Sequence, residues 1–335
     1  MAETKIEWCD RVWNPVTGCS PVSAGCDHCY AARMANRLRG RCGYPKDDPF
    51  RVTLHPEKLE LPLHWKKPQK IFVNSMSDLF HDDVPFEWVD KVFATISLAW
   101  RQTFIILTKR PERMKQYITS DRLNHKRIGY SQFGKLLNWP LKNLWLGVSI
   151  EDQQTANERT PLLLLTPAAK RLVSVEPMLG TVNVKKYLRY YCDCGICNFC
   201  NGGNSPDMID WVICGGETGP SARPMHPDWV RSLRDQCAAA NVPFFFKSWG
   251  EWLPISQMAG DAESLYYPRP EYDPNASRKC KCQTGSLQFS GNLLPVGSLG
   301  AWGSGSMQTF KVGKKAAGAL LDGQECRQFP EVAIG

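Results

Sequence analysis

Short apolar runs alternate along the chain with segments of helical periodicity. Six runs lie at Ile71–Asn74, Phe104–Leu107, Leu144–Val148, Arg171–Val175, Trp211–Cys214 and Pro243–Phe246, and a further short strand is predicted at Val12–Thr17. Nearly continuous apolar strands are typical of a parallel sheet that is buried on both faces. The sequence therefore predicts such a sheet.

The segments between these runs repeat apolar residues every three or four positions, as amphipathic helices do. They predict helices at residues 26–38, 86–100, 152–165 and 228–240, and another that begins at Pro111. The helix at 86–100 would carry an apolar stripe of Val89, Val92, Phe93, Ile96 and Trp100. Alternating strands and helices predict an α/β fold.

Polar residues and glycines follow the predicted strands at the points where the strands end. They include Ser75, Asp78, Ser149, Glu151, Glu176, Gly215, Gly216 and Glu217. Any one of them could simply begin a loop, since loops are polar. The carboxyl ends of the strands of a β/α barrel, however, share the face that holds the active site. We therefore predict a partial parallel (β/α)6-type barrel over residues 1–249, with these side chains around one cavity mouth.

Two regions interrupt the alternation of strands and helices. Residues 185–204 are rich in Tyr, Cys and Gly and are predicted to be an insertion. Residues 250–307 are rich in Gly, Ser and Pro, which favours loops and short antiparallel strands. We expect residues 250–335 to form an irregular C-terminal extension packed on the barrel, with a short helix from Lys311 to Leu321 that ends at Asp322 and Gly323.

The composition is that of a globular protein, with 335 residues, 43% hydrophobic and 22% charged. No apolar run approaches the roughly 20 residues of a membrane-spanning helix, so no membrane partner is expected. The polar N-terminus is unlike a secretory signal. The 14 cysteines are clustered, and clustered thiols in a reducing compartment more often bind metal than form disulfides. These features predict a cytoplasmic metalloprotein.

Three cysteines stand close together after the first predicted strand. Cys19, Cys26 and Cys29 have the spacing C-x6-C-x2-C. Three thiolates can hold three irons of an iron–sulfur cluster and leave the fourth iron free for a substrate or cofactor. A structural zinc site would instead need a fourth ligand, for which His28 is a candidate.

A three-cysteine loop after the first strand of a parallel barrel resembles the radical S-adenosylmethionine superfamily. Its usual spacing is C-x3-C-x2-C, so the longer first gap is a departure. A closer resemblance, to a family of uncharacterised phage and bacterial proteins with radical S-adenosylmethionine character, covers almost the whole chain. It is carried by Lys5–Trp8, Trp13–Cys19, Phe72–Phe80, Leu107–Pro111, Leu146–Ser149, Ser174–Pro177, Gly215–Gly219, Pro243–Lys247 and Leu321–Gly323.

The resemblance implies a [4Fe–4S] cluster on Cys19, Cys26 and Cys29 and reductive cleavage of S-adenosylmethionine. The resulting 5′-deoxyadenosyl radical would abstract hydrogen from a substrate, with flavodoxin or ferredoxin as electron donor. By position, residues 75–78 would meet the methionine amino group, and Ser149 and Glu151 the ribose or carboxylate. Gly215 and Gly216 would approach the nucleoside, beside Glu217. No residue is assigned as a hydrogen donor.

A second group of cysteines lies in the predicted insertion. Cys192, Cys194, Cys197 and Cys200 place four thiols within nine positions, and Cys280 and Cys282 add two more. Zinc and an auxiliary iron–sulfur cluster are both compatible with this density, and zinc is favoured because closed thiolate sites most often hold zinc. The ligands would be the first four, or Cys194 and Cys197 with the two later cysteines.

Basic residues and the net charge of +8 permit a DNA, RNA or nucleotide partner without requiring one. Three groups of basic residues could either contact phosphates or simply lie on solvated helix faces, and the sequence favours neither role. These groups are Arg33, Arg37, Arg39 and Arg41; Lys109, Arg110, Arg113 and Lys115; and His125, Lys126 and Arg127. The leading hypothesis is a radical S-adenosylmethionine enzyme acting on a nucleic acid or nucleotide. The alternative is a non-catalytic, zinc-stabilised nucleic-acid-binding phage protein, and a peptide or metabolite substrate also stays open.

Overall fold

A parallel sheet forms the centre of the fold. The structure is a computed structural model, and it describes residues 4, 6–120, 139–188, 208–258, 283–301 and 303–331. The strands are β1 (Arg11–Trp13), β2 (Val16–Thr17), β3 (Thr53–Leu54), β4 (Lys70–Val73), β5 (Thr103–Thr108), β6 (Leu144–Ile150), β7 (Lys170–Val175), β8 (Trp211–Gly215), β9 (Phe244–Ser248), β10 (Trp252–Pro254), β11 (Thr284–Leu287), β12 (Leu293–Leu294), β13 (Met307–Lys311), β14 (Leu320–Leu321) and β15 (Gln324–Glu325). The helices are α1 (Tyr30–Arg37), α2 (Phe86–Leu98), α3 (Pro111–Ile118), α4 (Gln153–Leu164), α5 (Pro227–Ala239) and α6 (Lys314–Ala317). Short 3-10 turns lie at Ala24–Cys26, Pro56–Lys58, Leu61–His64, Lys185–Tyr187 and Ile255–Gln257.

The sheet has seven strands in the order β1-β4-β5-β6-β7-β8-β9, and every neighbouring pair is parallel. Helices connect most of the strands, so the sheet is a parallel half-barrel. The predicted α/β class and partial barrel are confirmed, and all seven predicted strands are present.

Both faces of the sheet are buried, which explains the nearly continuous apolar runs. One face packs against the helices through residues such as Val73, Ile106 and Val148. The other face carries a cluster that includes Trp145, Trp211 and Phe245, and the N-terminal Trp8 and Cys9 pack into it. Burial there raises the pKa of the Cys9 thiol to about 12, so this thiol stays protonated.

Helix boundaries follow local sequence signals where such signals exist. Pro227 occupies the first turn of α5, and Trp229, Leu233 and Cys237 on this helix are buried. Asp152 caps α4 by accepting a hydrogen bond from the Thr155 backbone N–H at 2.9 Å. In return, the Thr155 hydroxyl accepts one from the Asp152 N–H at 3.1 Å, which completes a capping box.

The predicted strand Val12–Thr17 is wrong in extent, because it is two strands. β1 belongs to the large sheet, whereas β2 pairs antiparallel with β3. Pro15 lies between them and has no N–H to continue a ladder. The neighbouring Asn14 side chain accepts hydrogen bonds from the Ser75 hydroxyl and the Met76 N–H, both at 3.2 Å.

Three helix predictions also need correction. The helix predicted at 26–38 begins only at Tyr30, because Cys26 ends a 3-10 turn and Cys29 has extended ψ as the N-cap. Trp100 lies beyond the end of α2 and is 62% exposed, so it is not part of the apolar stripe. The helix predicted from Lys311 to Leu321 is shorter than expected and is confined to α6, because Gly313 and Gly318 have positive φ and interrupt it.

The residues after β9 form a four-stranded antiparallel sheet in the order β10-β13-β11-β12, which confirms the predicted short antiparallel strands. Indole N–H groups join it to the half-barrel. Trp252 donates to the carbonyl of Ala222 at 2.6 Å, and Trp229 donates to that of Phe289 at 3.0 Å. The domain boundary at residue 249 stays a prediction. Within the described ranges, no helix is long and apolar enough to cross a membrane.

Replacing Asp322 with Asn is expected to destabilise the protein at neutral pH and to have a smaller effect in acid. Asp322 lies in the turn between β14 and β15. Hydrogen bonds from Arg231 on α5, and then from Gln257 and Arg234, hold the pKa of its carboxyl well below the usual range. A carboxyl with a lowered folded-state pKa stabilises the fold above its unfolded pKa of about 3.9, and this contribution is lost as pH falls through the folded pKa.

The Asp322 side chain is partly exposed, so the expected difference in the free energy of unfolding at pH 7 is about 1 kcal/mol or less. Thermal unfolding of the wild type and Asp322→Asn should converge progressively below about pH 4. A difference that stays constant down to about pH 2.5 would contradict the ion-pair account.

Candidate functional site

The three N-terminal cysteines lie in one loop between β2 and α1. Cys19, Cys26 and Cys29 are all free thiols with intermediate exposure. The loop begins at Gly18, whose φ is 86°, and a Cβ there would lie 2.1 Å from the carbonyl oxygen of Arg51. The next residue, Cys19, donates its backbone N–H to Phe50 at 3.0 Å. The start of the cysteine loop is therefore fixed by backbone contacts that require glycine.

The first side-chain clamp on the cysteine loop joins it to the ends of β4 and β5. Asp78 is buried and accepts hydrogen bonds from the Thr108 hydroxyl at 2.7 Å and the Lys109 backbone N–H at 3.0 Å. Arg110 forms an ion pair with Asp78 at 3.4 Å. The same guanidinium donates to the carbonyl of Ser20 at 3.0 Å and to the Sγ of Cys19 at 3.5 Å.

The groups of this clamp change the pKa of the Cys19 thiol in opposite directions. Burial, and then the Asp78 carboxylate, raise the pKa of the Cys19 thiol to about 11, although Arg110 acts in the opposite direction. Arg110 is therefore the cation placed to stabilise a thiolate or thiolate-bound group at Cys19.

The second clamp holds the middle of the C-x6-C gap at the end of β6. Glu151 is 1% exposed and accepts hydrogen bonds from the Ser23 hydroxyl at 2.9 Å and from Arg159 at 3.1 Å. The Lys109 ammonium also contacts this carboxylate. Gly25 packs directly on the group, since a Cβ at this position would lie 2.4 Å from Oε1 of Glu151. The residues of the longer gap therefore dock onto a buried ion cluster.

The third clamp joins the Cys26–Cys29 segment to the residues after β8. Glu217 accepts hydrogen bonds from Arg223 Nη2 at 2.6 Å and lies 3.1 Å from His28 Nδ1. Arg223 also donates to the carbonyl of Ala24 at 2.8 Å and pairs with Asp27 at 3.3 Å. Burial alone would raise the pKa of the Glu217 carboxyl, but the bonds from Arg223 and His28 hold it below its usual range.

The structure thus brings Asp78, Glu151 and Glu217 to the cysteine loop, as expected for residues at the carboxyl ends of parallel strands. Ser75 lies at the same edge but donates to Asn14 at 3.2 Å. The carbonyl of Ser149 accepts a hydrogen bond from Arg159 at 2.6 Å. None of these positions tests the predicted contacts with S-adenosylmethionine, which stay predictions.

A separate ion pair occupies the ends of β7 and β9. Glu176 accepts hydrogen bonds from Lys247 Nζ at 2.7 Å and from the Ser174 hydroxyl at 2.8 Å. Burial would lower the pKa of Lys247, but the Glu176 carboxylate raises it, so the ammonium stays charged.

Gly215 lies beside this ion pair, and a Cβ there would be 2.8 Å from Glu176 Oε1. At Gly216 a Cβ would be 2.1 Å from the carbonyl of Trp249, so this glycine is required by the chain's own packing.

The side-chain amide of Asn74, which directly follows β4, is buried. Asn74 is 3% exposed, its φ is 60°, and neither Oδ1 nor Nδ2 has a hydrogen-bond partner among the residues that the structure describes. A buried amide left in this state costs about 1–3 kcal/mol for each unsatisfied group. Such a side chain is suited to a ligand that both donates and accepts hydrogen bonds.

No three His, Cys, Asp or Glu side chains in the described residues converge on the position of one metal ion. A single tetrahedral zinc ion would hold thiolate sulfurs about 3.8 Å apart. A cluster that brings its own iron and sulfide atoms is larger than one ion. The second cysteine group, namely Cys192, Cys194, Cys197, Cys200, Cys280 and Cys282, lies outside the described residues, so its zinc or iron–sulfur assignment stays a prediction.

A comparison with protein families matches residues 3–330 to the family described as "Protein of unknown function (DUF5131)". The chain belongs to this family. A search of curated proteins found no match.

Three solved structures of spore photoproduct lyase are similar to the chain at low scores. The complex with dinucleoside spore photoproduct is 10% identical, with a TM-score of 0.35 over 79% of this chain and 71% of that chain. A double mutant with bound AdoMet and dinucleoside spore photoproduct is also 10% identical, with a TM-score of 0.35 over 80% and 72%. A cysteine-to-serine mutant is 12% identical, with a TM-score of 0.36 over 83% and 75%. Similarity at this level does not identify a function.

In this family member, several basic residues that could have formed a phosphate-binding surface are bound within the chain. Lys109 and Arg110 hold the cysteine loop, and Arg113 donates to the carbonyls of His81 and Val84 at 2.7 and 2.8 Å. Arg33 donates to the carbonyl of Thr218 at 2.7 Å. The positions of residues 125–127 lie outside the described ranges.

Sequence reasoning missed several residues of this site, namely Ser23, Gly25, Asn74, Arg159 and Arg223. Two signals were available. Gly25 stands in the gap that departs from the usual cysteine spacing, and Asn74 ends an apolar strand. The arginines gave no local signal, because their partners are distant in sequence.

Replacing Gly25 with Ala is expected to displace the cysteine loop from Glu151. The new Cβ would meet Oε1 of Glu151 at 2.4 Å and Nζ of Lys109 at 2.7 Å, and both atoms are held in the buried ion cluster. We expect a loss of about 1–3 kcal/mol in the free energy of unfolding and faster alkylation of Cys26. Urea unfolding and mass spectrometry after iodoacetamide treatment measure the two effects.

Gly180→Ala is the matched control for Gly25→Ala. A Cβ at Gly180 would lie 3.5 Å from the Cβ of Asp152, which is an ordinary contact distance. Its unfolding free energy and Cys26 alkylation should match those of the wild type. Equal behaviour of the two alanine variants would refute the docking of Gly25 on Glu151.

Proposed function

We propose that the protein is a radical S-adenosylmethionine enzyme in which Cys19, Cys26 and Cys29 hold a [4Fe–4S] cluster. One observation carries the proposal. Three free, partly exposed thiols lie in a single loop that three buried acid–base clamps fasten to the carboxyl ends of parallel strands. Such rigid support is what a cofactor site needs, because ligands must be held in place by residues that are themselves fixed.

The residues present are compatible with this cofactor. The loop offers three thiols, and His28, the candidate fourth ligand, is bound to Glu217. Three protein ligands on a four-iron cluster leave one iron for another ligand. Within the described ranges the buried Asn74 amide has no hydrogen-bond partner, as a side chain does when its partner is a bound molecule.

When bound, the cluster would supply one electron for reductive cleavage of S-adenosylmethionine to methionine and a 5′-deoxyadenosyl radical. The chain's own residues have simpler tasks. Arg110 places positive charge at the Cys19 sulfur, where it offsets the negative charge of a thiolate cluster. Asn74 and Ser75 can bind polar groups of the methionine moiety, and Ser149 with Gly215 can contact the nucleoside side. The electron would come from a flavodoxin or ferredoxin.

We propose a nucleic acid or nucleotide as the substrate, so that the reaction would be its modification or repair. This part of the proposal is supported by the net charge of +8. Arg110 and Lys109 do not contribute to substrate binding, because their charges are used within the chain.

Anaerobic purification, followed by iron, sulfide and zinc analysis, tests the proposed cofactor. The expected result is about four iron and four sulfide per chain at the first site. After addition of dithionite and S-adenosylmethionine, chromatography should detect 5′-deoxyadenosine. Zinc as the sole metal, with no 5′-deoxyadenosine formed, would overturn the proposal and favour a non-catalytic zinc protein.

A further inference from the structure

A cavity of about 430 Å³ lies between the cysteine loop and the antiparallel sheet formed by β10–β13. We call it the mouth cavity. Ala24, two residues before Cys26, lines one side, and Lys311 on β13 lines the other. The volume is within the range of about 300–1,000 Å³ that ligand pockets occupy. The C-terminal sheet thus closes a space that opens beside the cysteine loop.

The charged groups of the mouth cavity are not equally available. Arg223 is paired with Glu217 and Asp27, so its charge is balanced. Asp152 uses its carboxylate to cap α4. Lys311 contacts the carbonyl of Pro220, and within the described part of the chain it has no carboxylate within 4.0 Å. Lys311 therefore gives the cavity a cation without a counterion among these residues.

Apolar side chains form part of the remaining wall, which also includes the polar residues Ser221 and Gln283. Leu179 and Leu293 line it, together with Trp252. The indole N–H of Trp252 is already bound to the carbonyl of Ala222, and the side chain is only 2% exposed, so it contributes a small part of this wall. The Lys311 Nζ lies 5.7 Å from the centroid of that ring. An ammonium group next to an aromatic and aliphatic surface suits a ligand that combines an anionic group with a planar, weakly polar one.

We propose that the mouth cavity binds a nucleotide, either free or as one unit of a nucleic acid strand. The phosphate would lie at Lys311 and the base against Leu179 and Leu293. This inference rests on the proposed function, because it identifies the substrate class of the same enzyme. According to this proposal, the C-terminal sheet selects the substrate. The basic residues that follow β1 and β5 do not.

Isothermal titration of the full-length protein with uridine 5′-monophosphate and with uridine tests the proposal. A pyrimidine is chosen because an adenine could also enter the site of S-adenosylmethionine. We expect the monophosphate to bind at least about tenfold more tightly than the nucleoside, since a hydrogen bond to a charged group has this strength. Lys311→Met should abolish the difference, and Lys311→Arg should retain it.

Lys314→Met is the matched control, because Lys314 is exposed on the neighbouring α6 and does not line the cavity. Its affinity for uridine 5′-monophosphate should equal that of the wild type. Fluorescence anisotropy with fluorescein-labelled hexauridylate distinguishes a nucleic acid strand from a free nucleotide as the ligand. Tighter binding of the hexamer than of the mononucleotide, again lost in Lys311→Met, identifies a strand, and preference for the mononucleotide identifies a free nucleotide.

The proposal is overturned if uridine 5′-monophosphate binds Lys311→Met as well as the wild type. It is also overturned if neither probe binds at millimolar concentration, or if uridine and its phosphate bind equally. Nucleotide affinity is measured without reference to iron or 5′-deoxyadenosine. A protein that forms 5′-deoxyadenosine but fails these titrations would disprove only the cavity assignment, and the opposite result would disprove only the cofactor.

Discussion

Replacing Cys26 with Ser is expected to abolish iron–sulfur binding at the N-terminal site and all formation of 5′-deoxyadenosine. Cys26 is the middle thiol of the loop, and a serine hydroxyl is a poor ligand for iron where soft thiolates are preferred. The half-barrel core lies elsewhere, so the variant should keep its fold. Iron and sulfide analysis, the visible absorption of the cluster and the 5′-deoxyadenosine assay measure the loss.

Cys326→Ser is the control for this substitution. Cys326 is also a free thiol of intermediate exposure, but it packs against the hydrophobic core near β9. It should keep full iron content at the N-terminal site and full 5′-deoxyadenosine formation. If Cys26→Ser retained its iron, or if the two variants lost iron equally, Cys26 would not be a ligand.

Glu151→Gln is expected to destabilise the protein more than any other single polar substitution considered. Its carboxylate is buried against Lys109 and Arg159, and removal of its charge leaves two cations without their counterion. Removing one partner of a buried ion pair costs about 3–5 kcal/mol. The free energy of unfolding from urea titration should fall by this amount, and the cysteine loop should lose its contact through Ser23.

Glu158→Gln supplies the comparison, because Glu158 is an exposed residue of α4 whose carboxylate accepts a local hydrogen bond from Gln154 at 2.9 Å. Its effect should stay within about 0.5 kcal/mol of zero. The double variant Glu151→Gln/Arg159→Met should be more stable than Glu151→Gln alone, since it removes one unpaired cation. A loss below about 1 kcal/mol in Glu151→Gln would show that the cluster does not hold the loop.

The predictions made from the sequence agree with the structure more closely for the sheet than for the site. The apolar runs at Phe104 and Trp211 predicted strands correctly, because a strand buried on both faces is visible in any short window of sequence. Helix boundaries were correct where a proline or a capping aspartate marked them, as at Pro111 and Asp152. They failed at Cys26, where the chain continues in a turn whose shape is set by contacts with Glu151 and Glu217.

The functions of charged residues were the hardest to predict. Lys109 and Arg110 belong to a basic group that could have contacted phosphates, yet both bind carboxylates inside the site. Their partners are 42 and 32 residues away along the chain. A single sequence records that a cation is present but not which carboxylate folding brings beside it.

The sequence by itself determined the class of fold, the positions of the sheet strands along the chain and the loop that carries three closely spaced thiols. These features depend on local periodicity and on spacing over a few residues. Only the tertiary structure decided how that loop is held, through Ser23 to Glu151 across 128 residues and His28 to Glu217 across 189. Parallel strands place their carboxyl ends at one edge of the sheet, so residues far apart in sequence become neighbours there. The same edge, covered by the antiparallel sheet, forms the mouth cavity around Lys311.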